Sequence, residues 1–166
     1  MARKLFNATL SLIDKRFKSG ELIKTLANDA LVEVIDRTQQ SGKDVNDNKF
    51  PGYSTNPGYF RLKDRKSKRF EGGYKAFRNA NSRRTDIVNL TFAGRMMNNL
   101  KVKRASRREA IIGFTQKRQQ EKADNTSRLK GTWVGLSPRQ VKKLSNRFGV
   151  ELRGLIARGS RRIEIR

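Results

Sequence analysis

Histidine and cysteine are both absent from this chain of 166 residues. That removes the side chain most often used as a general base and the one most often used as a thiolate nucleophile or soft metal ligand. No GxxxxGK[ST] phosphate loop occurs, and no GxGxxG follows a strand-like run. The nearest approach to a metal loop is Asp44, Asn46, Asp47 and Asn48, which lacks the turn glycine and the terminal glutamate of a calcium site. The expectation is therefore a protein that is not an enzyme, with no catalytic residue, no metal and no cofactor. Another chemistry stands out instead. Tyr53, Tyr59, Phe60, Phe70, Tyr74 and Phe77 are interleaved with Arg61, Lys63, Arg65, Lys66, Lys68 and Arg69. Rings beside cations are what single-stranded nucleic-acid binders use to stack bases and neutralise the backbone. The same residues suit a loop whose rings anchor it to a neighbouring subunit while its charges stay solvated, and composition does not separate the two.

The chain that must position these residues is poor in core and rich in charge. Apolar residues make up 35% and charged residues 33%, against a usual charged share of ~25%. Lys and Arg number 39 and Asp and Glu 15, a net charge of +24. Such self-repulsion calls for an acidic counterpart: nucleic acid, an acidic protein surface or anionic lipid. No apolar run approaches the ~18 residues of a membrane span. Residues 1–17 contain no uninterrupted apolar stretch of the kind a secretory leader needs, so neither a leader nor a membrane partner is expected.

Length predicts a single domain over residues 1–166. Residues 1–17 fit a helix face through Phe6, Leu10, Ile13 and Phe17 or a short strand about Leu10 and Leu12, and both stay open. Over residues 19–40, Leu22, Ile23, Leu26, Ala27, Ala30, Leu31 and Val34 recur at helical spacing, with Gly42 as the stop. Residues 42–84 are rich in Gly, Asn, Pro and cations and read as an extended basic and aromatic loop or arm. Residues 87–100 look like a short helical or turn segment closing on Gly94. Residues 100–103 and 109–114 read as two strands about a basic turn, and residues 116–128 as a helix with Ala123 packed. Ser137 and Pro138 start a last helix, predicted to end near Phe148 at Gly149 with Val141, Leu144 and Phe148 facing inward. Residues 153–166 form an arginine-rich tail. The fold class is α+β: a small antiparallel sheet packed with helices, plus the long basic loop. Trp133, between Gly131 and Gly135 and just ahead of a helix cap, reads as core, with a hydrophobic staple or an inter-subunit anchor as the other roles open to it.

The order of segments resembles the virion morphogenesis proteins of tailed bacteriophages. Gly42, Asp44, Phe50, Tyr53, Ser54, Tyr59 and Lys63 follow a "G-x-D…F-x-x-Y-S…Y…K" stretch. The stretch from Asp86 to Leu100, with Leu90, Gly94 and Met96, looks like "D-L-T-x-T-G-x-M-x-x-S-L", with Ala93 where the family has threonine. Residues 110–114 and 121–125 come next, and Trp133, Gly135, Leu136 and Ser137 are similar to an aromatic "F-x-G-L-S" before a final helix. The resemblance spans residues 42–149. It implies a non-enzymatic neck, head–tail joining or tail-completion subunit with a small α/β fold, assembled in the host cytoplasm and carried in the virion. Its partners would be copies of itself in a ring of six or twelve, portal, adaptor or head-closure proteins, and tail proteins. Contacts to a partner or to channel DNA would fall on Tyr53, Tyr59, Arg61, Lys63, Arg65, Lys66, Lys68, Arg69, Phe70 and Tyr74. A charge of +24 is unusual for a subunit lining a DNA channel. The rival expectation, from charge, size and the arginine-rich tail, is an RNA-binding protein of ribosomal type.

Overall fold

A computed structural model describes residues 20–62, 65–91, 93–106 and 108–160; the ambiguous stretch 1–17 and residues 161–166 lie outside them. The apolar spacing after residue 19 produces α1 (Glu21–Asp36), which buries Leu22, Ala27, Ala30 and Val34. Glu21 sits in its first turn, where negative charge suits the helix dipole. The helix widens into a π-turn (Arg37–Ser41), in which Arg37 and Thr38 are buried, and stops at Gly42 as expected. Two short strands follow, β1 (Gly58–Arg61) and β2 (Ser67–Phe70), then α2 (Gly73–Ala80). The rest of the chain is α3 (Arg95–Asn99), β3 (Leu100–Ala105), β4 (Ala110–Phe114), α4 (Lys117–Lys130) and α5 (Pro138–Ser160).

The fold is α+β, but its strands form two separate antiparallel ribbons, β1–β2 and β3–β4, where one small sheet was expected. In the second ribbon Leu100 lies opposite Phe114 and Ala105 opposite Ala110, with a bulge between Val102 and Arg104. Its turn is closed by Ser106, whose hydroxyl accepts from the backbone N–H groups of Arg108 and Glu109. The ribbon packs on α1, and α3 and α4 cover its end. Val34, Phe50, Val88, Met97, Leu100, Phe114, Ala123 and Trp133 make one buried cluster where these elements meet.

Several expectations are corrected. Residues 42–84 are not an extended loop: they hold the β1–β2 ribbon and α2. Gly94 does not close a turn but precedes the first residue of α3, at φ 74°, a left-handed conformation that glycine adopts without steric cost. The last helix runs through Gly149 to Ser160. A helical glycine costs only ~1 kcal/mol, which the hydrogen bonds of the following turns offset. Residues 153–160 therefore belong to a helix, not to a tail. Val141 is 48% exposed, and the inward position in that first turn belongs to Gln140.

The start of α5 carries a reciprocal cap. The Ser137 hydroxyl accepts from the Gln140 N–H at 3.4 Å, and the Gln140 side-chain oxygen accepts from the Ser137 N–H at 3.0 Å. This is the Ser-x-x-Gln capping box. It fixes the direction from which residues 131–137 enter the core with Trp133. That ring is 0% exposed. It lies edge-on to Phe114 with centroids 6.0 Å apart, and its N–H donates to the Ala123 carbonyl at 3.4 Å. Trp133 is core, and the role of inter-subunit anchor is excluded by its burial. Replacing Trp133 with Ala should lower unfolding free energy by ~3–5 kcal/mol, as truncating a buried aromatic does. Urea unfolding followed by circular dichroism measures it, and an unchanged midpoint would contradict this packing.

Candidate interaction surface

The β1–β2 ribbon has two unlike faces because side chains alternate along each strand. Gly58 pairs with Phe70 and Phe60 with Lys68, so Phe60 and Phe70 share one face. Against that face lies α2, carrying Tyr74 and Phe77. The rings form a cluster: Phe60 stacks on Phe77 with centroids 5.1 Å apart, and Phe70 meets both edge-on at 6.2 and 5.5 Å. Tyr74 lies 5.6 Å from Phe60, and Tyr53 meets Tyr74 edge-on at 5.6 Å. Such contacts add ~0.5–1.5 kcal/mol each beyond area burial. Five of the six rings expected to stack on bases or anchor a partner therefore stack on each other. Lys68 sits at the edge of this face, its ammonium 5.6 Å from the Phe70 ring centre.

Gly73 makes the docking of α2 possible. Its φ is +59°, and a Cβ there would lie 2.2 Å from the Asn56 carbonyl oxygen. Only glycine lets the helix start this close to residues 54–56, where the Lys75 N–H donates to the Ser54 carbonyl at 3.0 Å.

The opposite face of the ribbon carries Tyr59, Arg61, Ser67 and Arg69, with Tyr59 directly across from Arg69 and Arg61 across from Ser67. Tyr59 is 73% exposed, the one ring of the six left outside the cluster. At the tip, the Leu62 N–H donates to the Lys66 carbonyl at 2.8 Å, and Arg65 turns back at φ 68°. Arg61 Nε reaches the Arg65 carbonyl at 3.3 Å. Arg69 has an exposed ion pair with Glu71 at 3.3 Å. Lys63 lies outside the described residues.

The ribbon and α2 join the main core through Tyr53 and Arg78. Arg78 is 1% exposed. Its guanidinium donates to the carbonyls of Arg84 (3.0 Å) and Thr91 (2.7 Å) and to the Asn89 side-chain oxygen (3.1 Å), and lies 4.3 Å from the Tyr53 ring centre. The Tyr53 hydroxyl donates to Asn89 Oδ1 and accepts from the Asn89 N–H, both at 3.2 Å. A second buried cation, Arg37, donates to the carbonyls of Trp133 (2.5 Å), Gly135 (3.0 Å) and Lys43 (3.4 Å) and to the Gln140 side chain. Burial pulls the Arg37 pKa below its usual value, with the charges of Asp47 and Asp44 opposing. Sequence reading missed both arginines. The available signals were spacing: Arg37 continues the buried Ala27, Ala30, Val34 stripe of α1, and Arg78 follows Tyr74 by four residues.

The residues that carry the family resemblance are spread over this core. Leu100 and Trp133 are buried, and Leu90, Met96 and Leu136 pack against the same cluster. Gly135 offers its carbonyl to Arg37, Ser137 caps α5, and Gly94 precedes α3. Asp86 is exposed and paired with Arg84 at 2.8 Å, whose hydrogen bond lowers the carboxyl pKa to about 2. Asp44 turns its own loop: its Oδ1 accepts from the N–H groups of Asn46 and Asn48, both at 2.9 Å. No group of three or more potential metal ligands occurs among the described residues. No family model, curated protein or solved structure matches the chain.

Burial raises the Tyr53 pKa above 10.0, and the nearby Arg78 charge opposes it. The folded state then holds this proton more tightly than the unfolded chain. The resulting stability is fully present below pH 10 and is lost as pH rises through the folded value. An alkaline titration of tyrosinate absorbance should show one ring ionising late, and Tyr53→Phe should remove that late phase.

Proposed function

We propose that this protein is a structural subunit of a phage head–tail interface, a neck or tail-completion protein. It acts by docking on copies of itself and on the portal, adaptor or tail proteins beside it. One observation carries the reading beyond the sequence resemblance. The segments that hold most of the similar motifs, residues 86–100, 110–114 and 133–137, are far apart in the chain but pack into one cluster. Leu100, Phe114 and Trp133 belong to it, and Leu90, Met96 and Leu136 pack against it. The resemblance therefore falls on side chains that build the core, which is where the structural motifs of a family would lie.

The absence of histidine and cysteine from the sequence is in keeping with a role by contact. So are the apolar side chains left on helix surfaces, Val32 on α1, Leu129 on α4 and Val150 on α5, each more than half exposed. Single exposed apolar residues are ordinary, but a ring subunit would cover some of them.

Native mass spectrometry of nuclease-treated protein, exchanged from high to low salt, tests the proposal. A discrete hexamer or dodecamer free of nucleic acid is expected. A monomer that recaptures RNA in stoichiometric amount would overturn it in favour of the ribosomal-type reading.

A further inference from the structure

We infer that the outer face of the β1–β2 ribbon is a binding platform for single-stranded nucleic acid, with Tyr59 stacking on an unpaired base and Arg61 and Arg69 holding the backbone on either side. This goes beyond the docking role and does not depend on it. Three features of the ribbon lead there.

The first is rigidity. The inner face is fixed by the Phe60, Phe70, Tyr74 and Phe77 rings and by the close seat of α2 at Gly73, so the outer face is presented without needing to be ordered on binding. The second is the isolation of Tyr59. Its neighbours in the ribbon are the opposed Arg69, the diagonal Ser67 and, two residues along its own strand, Arg61. Residues two apart on a strand are separated by ~6.8 Å, and Tyr59, 73% exposed, shares this face with both arginines. The third is charge. Arg65 and Lys66 extend the cationic surface to the tip, and the ion pair of Arg69 with Glu71 joins side chains that are both more than half exposed and exchanges readily with solvent.

A protein partner fits this face less well. The core of a protein interface is depleted of charge and surrounds its aromatic anchor with other apolar groups. Here one ring stands among cations on strands of four residues each, a small area beside the ~800 Å² that each partner of a stable complex contributes. Rings that accept any base and cations that accept any phosphate are the equipment of sequence-tolerant single-strand binding. A duplex would engage the cations but leave Tyr59 without an unstacked base.

The test is fluorescence anisotropy with a labelled mixed-sequence single-stranded DNA oligonucleotide and its duplex, across a salt series. Four proteins are compared with the parent: Tyr59→Ala; Tyr59→Phe; a quadruple variant carrying Arg61→Gln, Arg65→Gln, Lys66→Gln and Arg69→Gln; and a charge-matched control on α4 carrying Lys117→Gln, Arg118→Gln, Lys122→Gln and Arg128→Gln. All the replaced side chains are exposed, and circular dichroism melting checks that each variant folds. Single-strand binding should weaken roughly five- to hundredfold in Tyr59→Ala, stay near the parent in Tyr59→Phe, and leave duplex affinity unaltered. The slope of log K against log salt should become shallower by about 3 in the ribbon quadruple, at ~0.7 per lost phosphate contact, and by much less in the α4 control. Equal losses from the two quadruple variants would mean diffuse attraction by the whole charge and would overturn the inference. So would an unaffected Tyr59→Ala, or poly-glutamate binding to the parent as tightly as the oligonucleotide. Oligomeric state is read separately by native mass spectrometry, so failure of this platform and failure of the ring reading give different results.

Discussion

A guanidinium buried among backbone carbonyls holds the main core in register. Arg37 can neither lose its proton in practice nor be left unpaired without a large desolvation cost. It is therefore tied to the chain at four places: the turn after α1 at Lys43, the Trp133 and Gly135 carbonyls, and Gln140 in the first turn of α5. The planar fork of five donors suits this task, because the acceptors come from three separate segments. Their positions are fixed together. The π-turn at Arg37–Ser41 carries the guanidinium, the capping box orients Gln140, and Trp133 is carried into the core by the same carbonyl-bearing strand of chain.

Arg78 repeats the arrangement at the second centre. It binds the carbonyls of Arg84 and Thr91 and the side chain of Asn89, and so holds the winding segment between α2 and α3 against the aromatic cluster. Tyr53 shares Asn89 with it and stacks beneath the guanidinium. In both places an arginine organises irregular backbone that no helix or strand would satisfy. With apolar residues at only 35% of the chain, hydrophobic burial alone leaves long connections unsupported, and buried backbone carbonyls still need donors. Two internal arginines meet that need.

The parts legible in the sequence are those where periodicity and packing agree. The α1 stripe, the strands at 100–105 and 110–114, the packed Ala123 and the Ser137 start of α5 all follow from apolar spacing or cap chemistry. The parts that were not legible share a different cause. In β1 the alternation of Gly58 and Phe60 against Tyr59 and Arg61 sets an aromatic residue on both faces, which hides the period of two. Gly72 and Gly73 read as a break in the chain, yet Gly73 opens α2 because only a residue without Cβ fits there. The six rings look alike in sequence; the strand register turns Phe60 and Phe70 away from Tyr59, and the seat of α2 brings Tyr74 and Phe77 onto their side. The burial of Arg37 and Arg78 carries little sequence signal, because cations are almost never placed inside without a partner and their partners here are backbone carbonyls and the amides of Gln140 and Asn89, distant in sequence or hidden in a loop.

The distribution of carboxylates explains how so basic a chain keeps its shape while presenting cations outward. Asp29 and Glu33, one turn apart on α1, face Arg147 and Lys143 of α5, with Asp29 at 3.2 Å. They fasten the last helix to the first. Asp44 is turned into its own loop by backbone N–H groups, and Asp86 is engaged by Arg84. Acidic groups in this fold thus act at joints and turns. The ribbon's outer face and tip present Arg61, Arg65, Lys66 and Arg69 to solvent, with Glu71 paired to Arg69. Self-repulsion is relieved where elements meet, and the cations left facing outward, on the β1–β2 ribbon as on β3 and α4, are where an added polyanion would relieve it further.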